Sequence, residues 1–159
     1  MRWLDHREPL PEPLRGAIIA LGNFDGFHLG HQAVAGEAIA CLAAGASAML
    51  VLHFDAALAG TTAEDFVSQL MHRHLGVAGI VTGEDFTFGK GRAGNRQVLA
   101  DLASQNGIAT RAVAPVMDGG APISSSRIRQ ALRDGDPVEA ARLLTRPYAV
   151  RGIVVHGDK

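Results

Sequence analysis

Two histidines, His28 and His31, stand three residues apart in the stretch Gly22-Asn23-Phe24-Asp25-Gly26-Phe27-His28-Leu29-Gly30-His31. Side chains at that spacing share one helix face, so both imidazoles can reach one anion. The apolar run from Ala17 to Leu21 ahead of them reads as a buried strand, and Gly30 to Ala44 behind them as an Ala-rich helix. A helix start offers N–H groups without intrahelical partners and the positive end of the helix dipole. Gly22, Gly26 and Gly30 let the backbone approach a ligand closely. The combination points to phosphate. A helix cap with a packed neighbour is the plainer reading of such a pair. Zinc is a third, but it needs further ligands, and the chain has neither a Cys cluster nor a His-Glu-x-x-His motif. The GxxxxGKS loop and the GxGxxG turn are both absent, so the grip belongs to neither common phosphate fingerprint.

Two other stretches carry chemistry. In Pro122-Ile123-Ser124-Ser125-Ser126-Arg127-Ile128-Arg129 three hydroxyls open a helix. Ser124 reads equally as a cap. Arg127 and Arg129 are two apart and point differently, one inward and one to solvent. Arg129, one turn in, can make charge-assisted bonds to a polyphosphate. The stretch Gly83-Glu84-Asp85-Phe86-Thr87-Phe88-Gly89-Lys90-Gly91-Arg92-Ala93-Gly94-Asn95 joins glycines, two aromatics and two cations. It suits a second, flat, anionic substrate, or else a solvated surface turn. His72 and His74 read as surface residues. His53 and Asp55 follow the second strand and receive no role.

The elements that must position these residues alternate. Strands are expected at 17–21, 48–54, 77–81 and 108–114. Helices are expected at 30–44, from Thr62 to Leu75, at 95–105, at 124–133, and from Asp136-Pro137 to Thr145. Residues 1–15, with Pro9, Pro11 and Pro13, read as an irregular arm. Alternation of this kind gives an α/β, Rossmann-like parallel sheet of about four to five strands with helices on both faces. Ligands in such sheets bind outside the carboxyl ends of the strands, where all three stretches fall.

The bulk numbers set outer bounds. The chain has 159 residues, of which 47% are hydrophobic and 19% charged, enough for one domain with a sizeable core. A formal net charge of −1 gives no reason to expect nucleic acid or an anionic membrane as partner. The lone cysteine, Cys41, excludes an internal disulfide and reads as a packed thiol. No signal peptide or membrane span is legible, so a cytoplasmic protein is expected. Oligomeric state is not legible.

The three motifs together, GNFDGFHLGHQ, GEDFTFGKGRAGN and ISSSRIR, resemble the adenylyltransferase module of bacterial bifunctional riboflavin kinase/FMN adenylyltransferases, the FAD synthetases. These are HxGH nucleotidylyltransferases of HUP-type fold. The tail TRPYAVRGIVVHGDK resembles the linker and opening strand of their riboflavin kinase module. The resemblance implies a nucleotidylyltransferase domain over 1–145 and a truncated kinase module over 146–159. It implies transfer of AMP from ATP to FMN, giving FAD and pyrophosphate, with Mg²⁺ as cofactor but no metal-ligating side chain assigned. It implies that His28, His31 and Arg129 act on the ATP phosphates and that Gly22, Asn23, Phe24, Asp25 and Gly30 surround the nucleotide. Ser125 and Ser126 join the triphosphate. Asp85 and Phe86 lie toward the flavin or adenine end.

The chain departs from the family after the second strand. The segment Val51-Leu52-His53-Phe54-Asp55 runs straight to the helix beginning near Thr62. One strand–helix unit of the family is missing, and the second strand reads as two fused. The departure bears on the FMN pocket more than on the ATP site. Riboflavin phosphorylation is not expected. Two alternatives stay open: a shortened relative that binds adenine nucleotide without turnover, and an adenylyltransferase for another phosphate acceptor.

Overall fold

The protein is described by a computed structural model over residues 2–5, 10–41, 48–51 and 55–149. It forms two compact units, Met1–Asn23 with His31–Pro115, and Phe24–Gly30 with Val116–Lys159. In chain order the elements are β1 (Arg2–Asp5), β2 (Ile18–Leu21), α1 (Leu29–Cys41), β3 (Ala48–Val51), α2 (Ala56–Gly60) and α3 (Ala63–Asp65). They continue with β4 (Gly79–Gly83), α4 (Arg96–Gln105), β5 (Ala109–Val113), β6 (Met117–Asp118), β7 (Ala121–Pro122), α5 (Ser125–Arg133) and α6 (Pro137–Leu144).

The first unit is built on a parallel sheet in the order β2-β4-β5. Ile19, Ile80 and Thr110 are in register, as are Leu21, Thr82 and Ala112. Side chains alternate along a strand, so these six residues share one face. Leu21 and Ile80 on that face join a core with Phe66, Val67, Met71 and Leu75, and with Leu99 and Ala103 of α4. Arg111 points to the opposite face, where its Nε meets Glu37 Oε1 of α1 at 2.8 Å. Helices therefore cover both faces, as the alternation of elements predicts. Among the described residues the main sheet pairs three parallel strands. A second parallel sheet pairs β1 with β3.

Several elements differ from expectation, each for a physical reason. The arm of residues 1–15 contains β1, because the three prolines follow that strand instead of interrupting it, and its partner β3 is distant in sequence. Thr62 caps α3 by accepting from Asp65 N–H at 3.1 Å. The helix then widens into a π-helical stretch, Phe66–His74, which places Phe66, Val67 and Met71 in the core. Its last turn closes with Leu75 N–H donating to the Leu70 carbonyl at 2.9 Å. Val77 stays outside β4 because its N–H is taken by the Met71 carbonyl at 3.1 Å. Asp55 caps the short α2, accepting from Leu58 N–H at 2.9 Å. Cys41 is half-buried rather than a core thiol, with Sγ 3.7 Å from Glu37 Oε1. His53 lies outside the described residues.

The second unit has a small apolar core, Ile123, Ile128, Ala131, Ala140, Leu143 and Leu144. Beside it sits a polar cluster that sequence reading does not anticipate. The Asp118 carboxylate accepts from Arg142 at 2.9 and 2.7 Å and from Arg127 at 2.6 Å. Glu139 accepts from Arg127 at 2.9 Å and from Arg142 Nε at 2.7 Å. These hydrogen bonds, foremost that from Arg142, hold the Asp118 carboxyl far below the usual carboxylate range. The cluster ties the β6-β7 hairpin to α5 and α6. Residues 146–149 form no strand, and 150–159 lie outside the described residues.

Candidate functional site

The segment 24–30 belongs to the same unit as α5. It is irregular until Leu29, where α1 begins. Gly26 has φ +77° and Phe27 has φ +44°, a tight reversal that residues other than glycine rarely adopt. Arg146 Nη2 donates to the Gly26 carbonyl at 3.1 Å. A Cβ at Gly26 would lie 3.3 Å from Leu144 Cδ2, so the segment packs tightly against the end of α6. Phe24 and Phe27 approach with ring centroids 6.0 Å apart, tilted by 56°.

α5 begins at this segment for a local reason. Ser124 is its N-cap, accepting from Arg127 N–H at 3.2 Å. Ser125 Oγ donates to the Asp25 carbonyl at 2.9 Å. One turn later the Arg129 guanidinium pairs with the Asp25 carboxylate. Arg127 turns the other way, into the cluster with Asp118 and Glu139. The divergence of two arginines at i and i+2 is the one expected on a helix. Ser126 is exposed.

His28 is 5% exposed. Burial lowers its pKa from the ordinary 6.5, against the opposing pull of the Asp25 carboxylate. Gly30 is what admits the imidazole: a Cβ there would lie 3.1 Å from His28 Cε1 and 3.2 Å from the Ile123 carbonyl. Asp25, Ser125 and Arg129 are thus brought together, with His28 and Gly30 on the same short segment.

The remaining predicted residues lie in the first unit. Gly22 and Asn23 are exposed just beyond β2, and His31 is half-buried on α1. Asp85 is exposed beyond β4. Phe86 is not presented as an open platform. It stacks on Phe88 at 5.7 Å between centroids and 9° between planes, and Phe88 meets Phe66 at 5.3 Å. Gly94 exists for that packing, since a Cβ would fall 2.5 Å from the Phe88 ring. Lys90 and Arg92 stay exposed, the latter donating to Thr87 Oγ1 at 3.0 Å.

Sequence reading missed Arg146 on the Gly26 carbonyl and Asp25 as counter-ion of Arg129. Neither pair carries a local signal. Only the Asp118-Gly119-Gly120 turn announced the hairpin that bears Asp118. Among the described residues no three His, Cys, Asp or Glu side chains converge as a metal cage. No helix among them is long and apolar enough to cross a membrane.

The architecture is that of a Rossmann-like nucleotidylyltransferase: a parallel sheet with helices on both faces. A family model described as FAD synthetase matches residues 10–44 and 39–127. The chain belongs to the FAD synthetase family. It is 31% identical over 187 residues to the bifunctional riboflavin kinase/FMN adenylyltransferase of Escherichia coli K12, covering 92% of this chain and 60% of that protein. It is 28% identical over 184 residues to the FAD synthetase of Listeria monocytogenes, covering 91% of this chain and 74% of that protein. The crystal structure of a macrolide-efflux protein from Streptococcus pneumoniae superposes with a TM-score of 0.82 at 25% identity, covering 99% of this chain and 64% of that one.

Both sequence alignments, over 187 and 184 residues, run longer than the 159 residues of this chain, so the relatives carry residues that it lacks. The family match breaks at residues 39–44, at the end of α1. The shortening therefore precedes β3 instead of following it. β3 pairs with β1 and, among the described residues, not with the main sheet.

Proposed function

We propose that the chain is an FMN adenylyltransferase that transfers AMP from ATP to FMN. In this reading an oxygen of the FMN phosphate attacks the α-phosphorus of ATP, the bond to the β-phosphate oxygen breaks, and pyrophosphate leaves. The nucleophile is already anionic, so no general base and no covalent intermediate are needed. The protein's task is to position the two phosphates and to stabilise the charge that builds on the leaving group.

The observation that carries this reading is the meeting of Asp25, Ser125 and Arg129 at the start of α5. Arg129 supplies the fixed charge, the exposed Ser126 hydroxyl and the helix start supply donors, and Ser125 holds the Asp25 backbone in place. His28 is neutral near pH 7 because burial lowers its pKa, so it serves as a hydrogen-bond donor rather than a cation. His31 completes the pair. Family membership supports assigning nucleotide contacts to Gly22, Asn23, Phe24 and Gly30 and flavin contacts to Asp85 and Phe86.

Mg²⁺ would be held through the triphosphate, and no residue of this chain is assigned to it. When bound it offsets charge on the phosphates. Residues 1–145 make up the transferase domain and 146–159 the linker and opening of a kinase module. The chain spans about 60% of the bifunctional relative's length, and riboflavin phosphorylation is not assigned to it.

Incubation with ATP, Mg²⁺ and FMN, followed by chromatography, tests the proposal: FAD and pyrophosphate are expected. A folded sample that makes no FAD at high protein concentration defeats it. The missing family segment favours one second reading, a nucleotide-binding relative without turnover. Calorimetry separates the two, because that relative binds ATP and leaves FMN unbound.

A further inference from the structure

We propose that Asp25 is a specificity-determining residue: its carboxylate serves Arg129 as an internal counter-ion that a polyphosphate displaces and a single phosphate does not. The inference rests on the reading of segment 24–30 and α5 as a triphosphate site. Asp25 and Arg129 are paired across 104 residues of sequence, yet their side chains are 53% and 49% exposed. A ligand can therefore reach the guanidinium without unfolding anything.

The carboxylate cannot simply move off with its backbone. Ser125 Oγ holds the Asp25 carbonyl at 2.9 Å, and Arg146 holds the Gly26 carbonyl at 3.1 Å. Gly26 is also pressed against Leu144. An incoming anion must take the guanidinium from a carboxylate that stays nearby and repels it. Inorganic phosphate exchanges one ion pair for another and gains little. Pyrophosphate brings more charge and enough length to reach the exposed Ser126 hydroxyl as well, so it offsets both the lost pair and the repulsion. Discrimination of this kind works by penalising the wrong ligand as well as by attracting the right one. The same carboxylate opposes the pKa-lowering effect of burial on His28.

An exposed ion pair is weak, so the expected effects are modest. Calorimetry of the full chain with inorganic pyrophosphate and with inorganic phosphate, without FMN or turnover, supplies the test. Asp25→Asn is expected to bind pyrophosphate about threefold to fivefold tighter and to gain more for phosphate, so that the preference between the two narrows. Asp25→Glu, which keeps the charge, is expected to retain the wild-type preference. In an Arg129→Ala background the Asp25→Asn gain is expected to shrink, because the two residues act as one pair. Unchanged or weaker binding of both anions by a folded Asp25→Asn overturns the proposal. So does a gain that persists undiminished without Arg129, or no detectable binding by either protein. If Arg129→Ala leaves pyrophosphate binding intact, the triphosphate reading itself fails. If Arg129→Ala weakens it while Asp25→Asn changes nothing, only the counter-ion role of Asp25 is lost.

Discussion

The two units of this chain are held together in opposite ways. The first rests on apolar burial: Met71, Leu75, Ile80 and Leu99 are almost wholly removed from water, within one continuous core. The second has six small or medium apolar core residues and adds a dense cluster of two arginines and two carboxylates. Burial is tolerant of chemistry but exacting in volume. Ion pairs are the reverse, directional and readily exchanged for a charged ligand. A sheet that must only stay folded suits the first kind. A segment proposed to exchange its own counter-ion for phosphates suits the second.

That contrast is most severely strained by truncating each unit at its own critical residue. Leu99→Ala removes a side chain that is 2% exposed in the first core. It is expected to lower stability by about 2–5 kcal/mol, the range for a buried leucine. At temperatures where the variant remains folded, pyrophosphate affinity is expected to be near wild type. Denaturant unfolding and calorimetry on the same sample check both halves. A variant that keeps its stability but loses the anion would show that the core serves the site and not the fold.

Arg129→Ala is the mirror experiment. It removes one half-exposed side chain and no core contact. Its effect on the melting temperature is expected to be small, whereas adenylyl transfer is expected to slow by roughly two orders of magnitude, about 3 kcal/mol by analogy with a lost oxyanion donor. Steady-state rates of FAD formation beside a thermal melt give the comparison. A large drop in melting temperature with a proportionate loss of rate would make Arg129 a structural residue.

The same contrast explains what was legible in the sequence. Local signals were read correctly at Ser124 before α5 and Asp136 with Pro137 before α6, which are caps in the structure, whereas Asn95, read as the first residue of a helix, is the cap of α4. The opposite directions of Arg127 and Arg129 also follow from short-range spacing. Contacts between distant residues were not legible. β1 forms only because β3 lies beside it. The two carboxylates that organise the second unit, Asp118 and Glu139, look like ordinary surface acids in sequence. The aromatics of 86–88 suggested a platform for a flat ligand, and composition alone could not reveal that Phe66 already takes one of them into the core.

His28 offers the finest test, because it is a proposed site residue buried in the way core residues are. Its pKa is lowered by burial, so the folded chain takes up the His28 proton at a lower pH than the unfolded chain does, whose ordinary value is 6.5. Between those two values the unfolded state holds more protons, and stability rises with pH. The contribution is complete above pH 6.5 and is lost as the pH falls through the window beneath it. Asp25 opposes the lowering, so Asp25→Asn is expected to widen the window downward. Melting temperatures between about pH 5 and pH 7.5 are expected to fall more steeply on acidification for wild type than for His28→Asn, with the difference confined to that range. The two proteins differ at residue 28 alone, so the comparison isolates it. Parallel curves for the two proteins would mean that His28 titrates as a solvated residue, and its assignment as a neutral donor to phosphate would fall with that result.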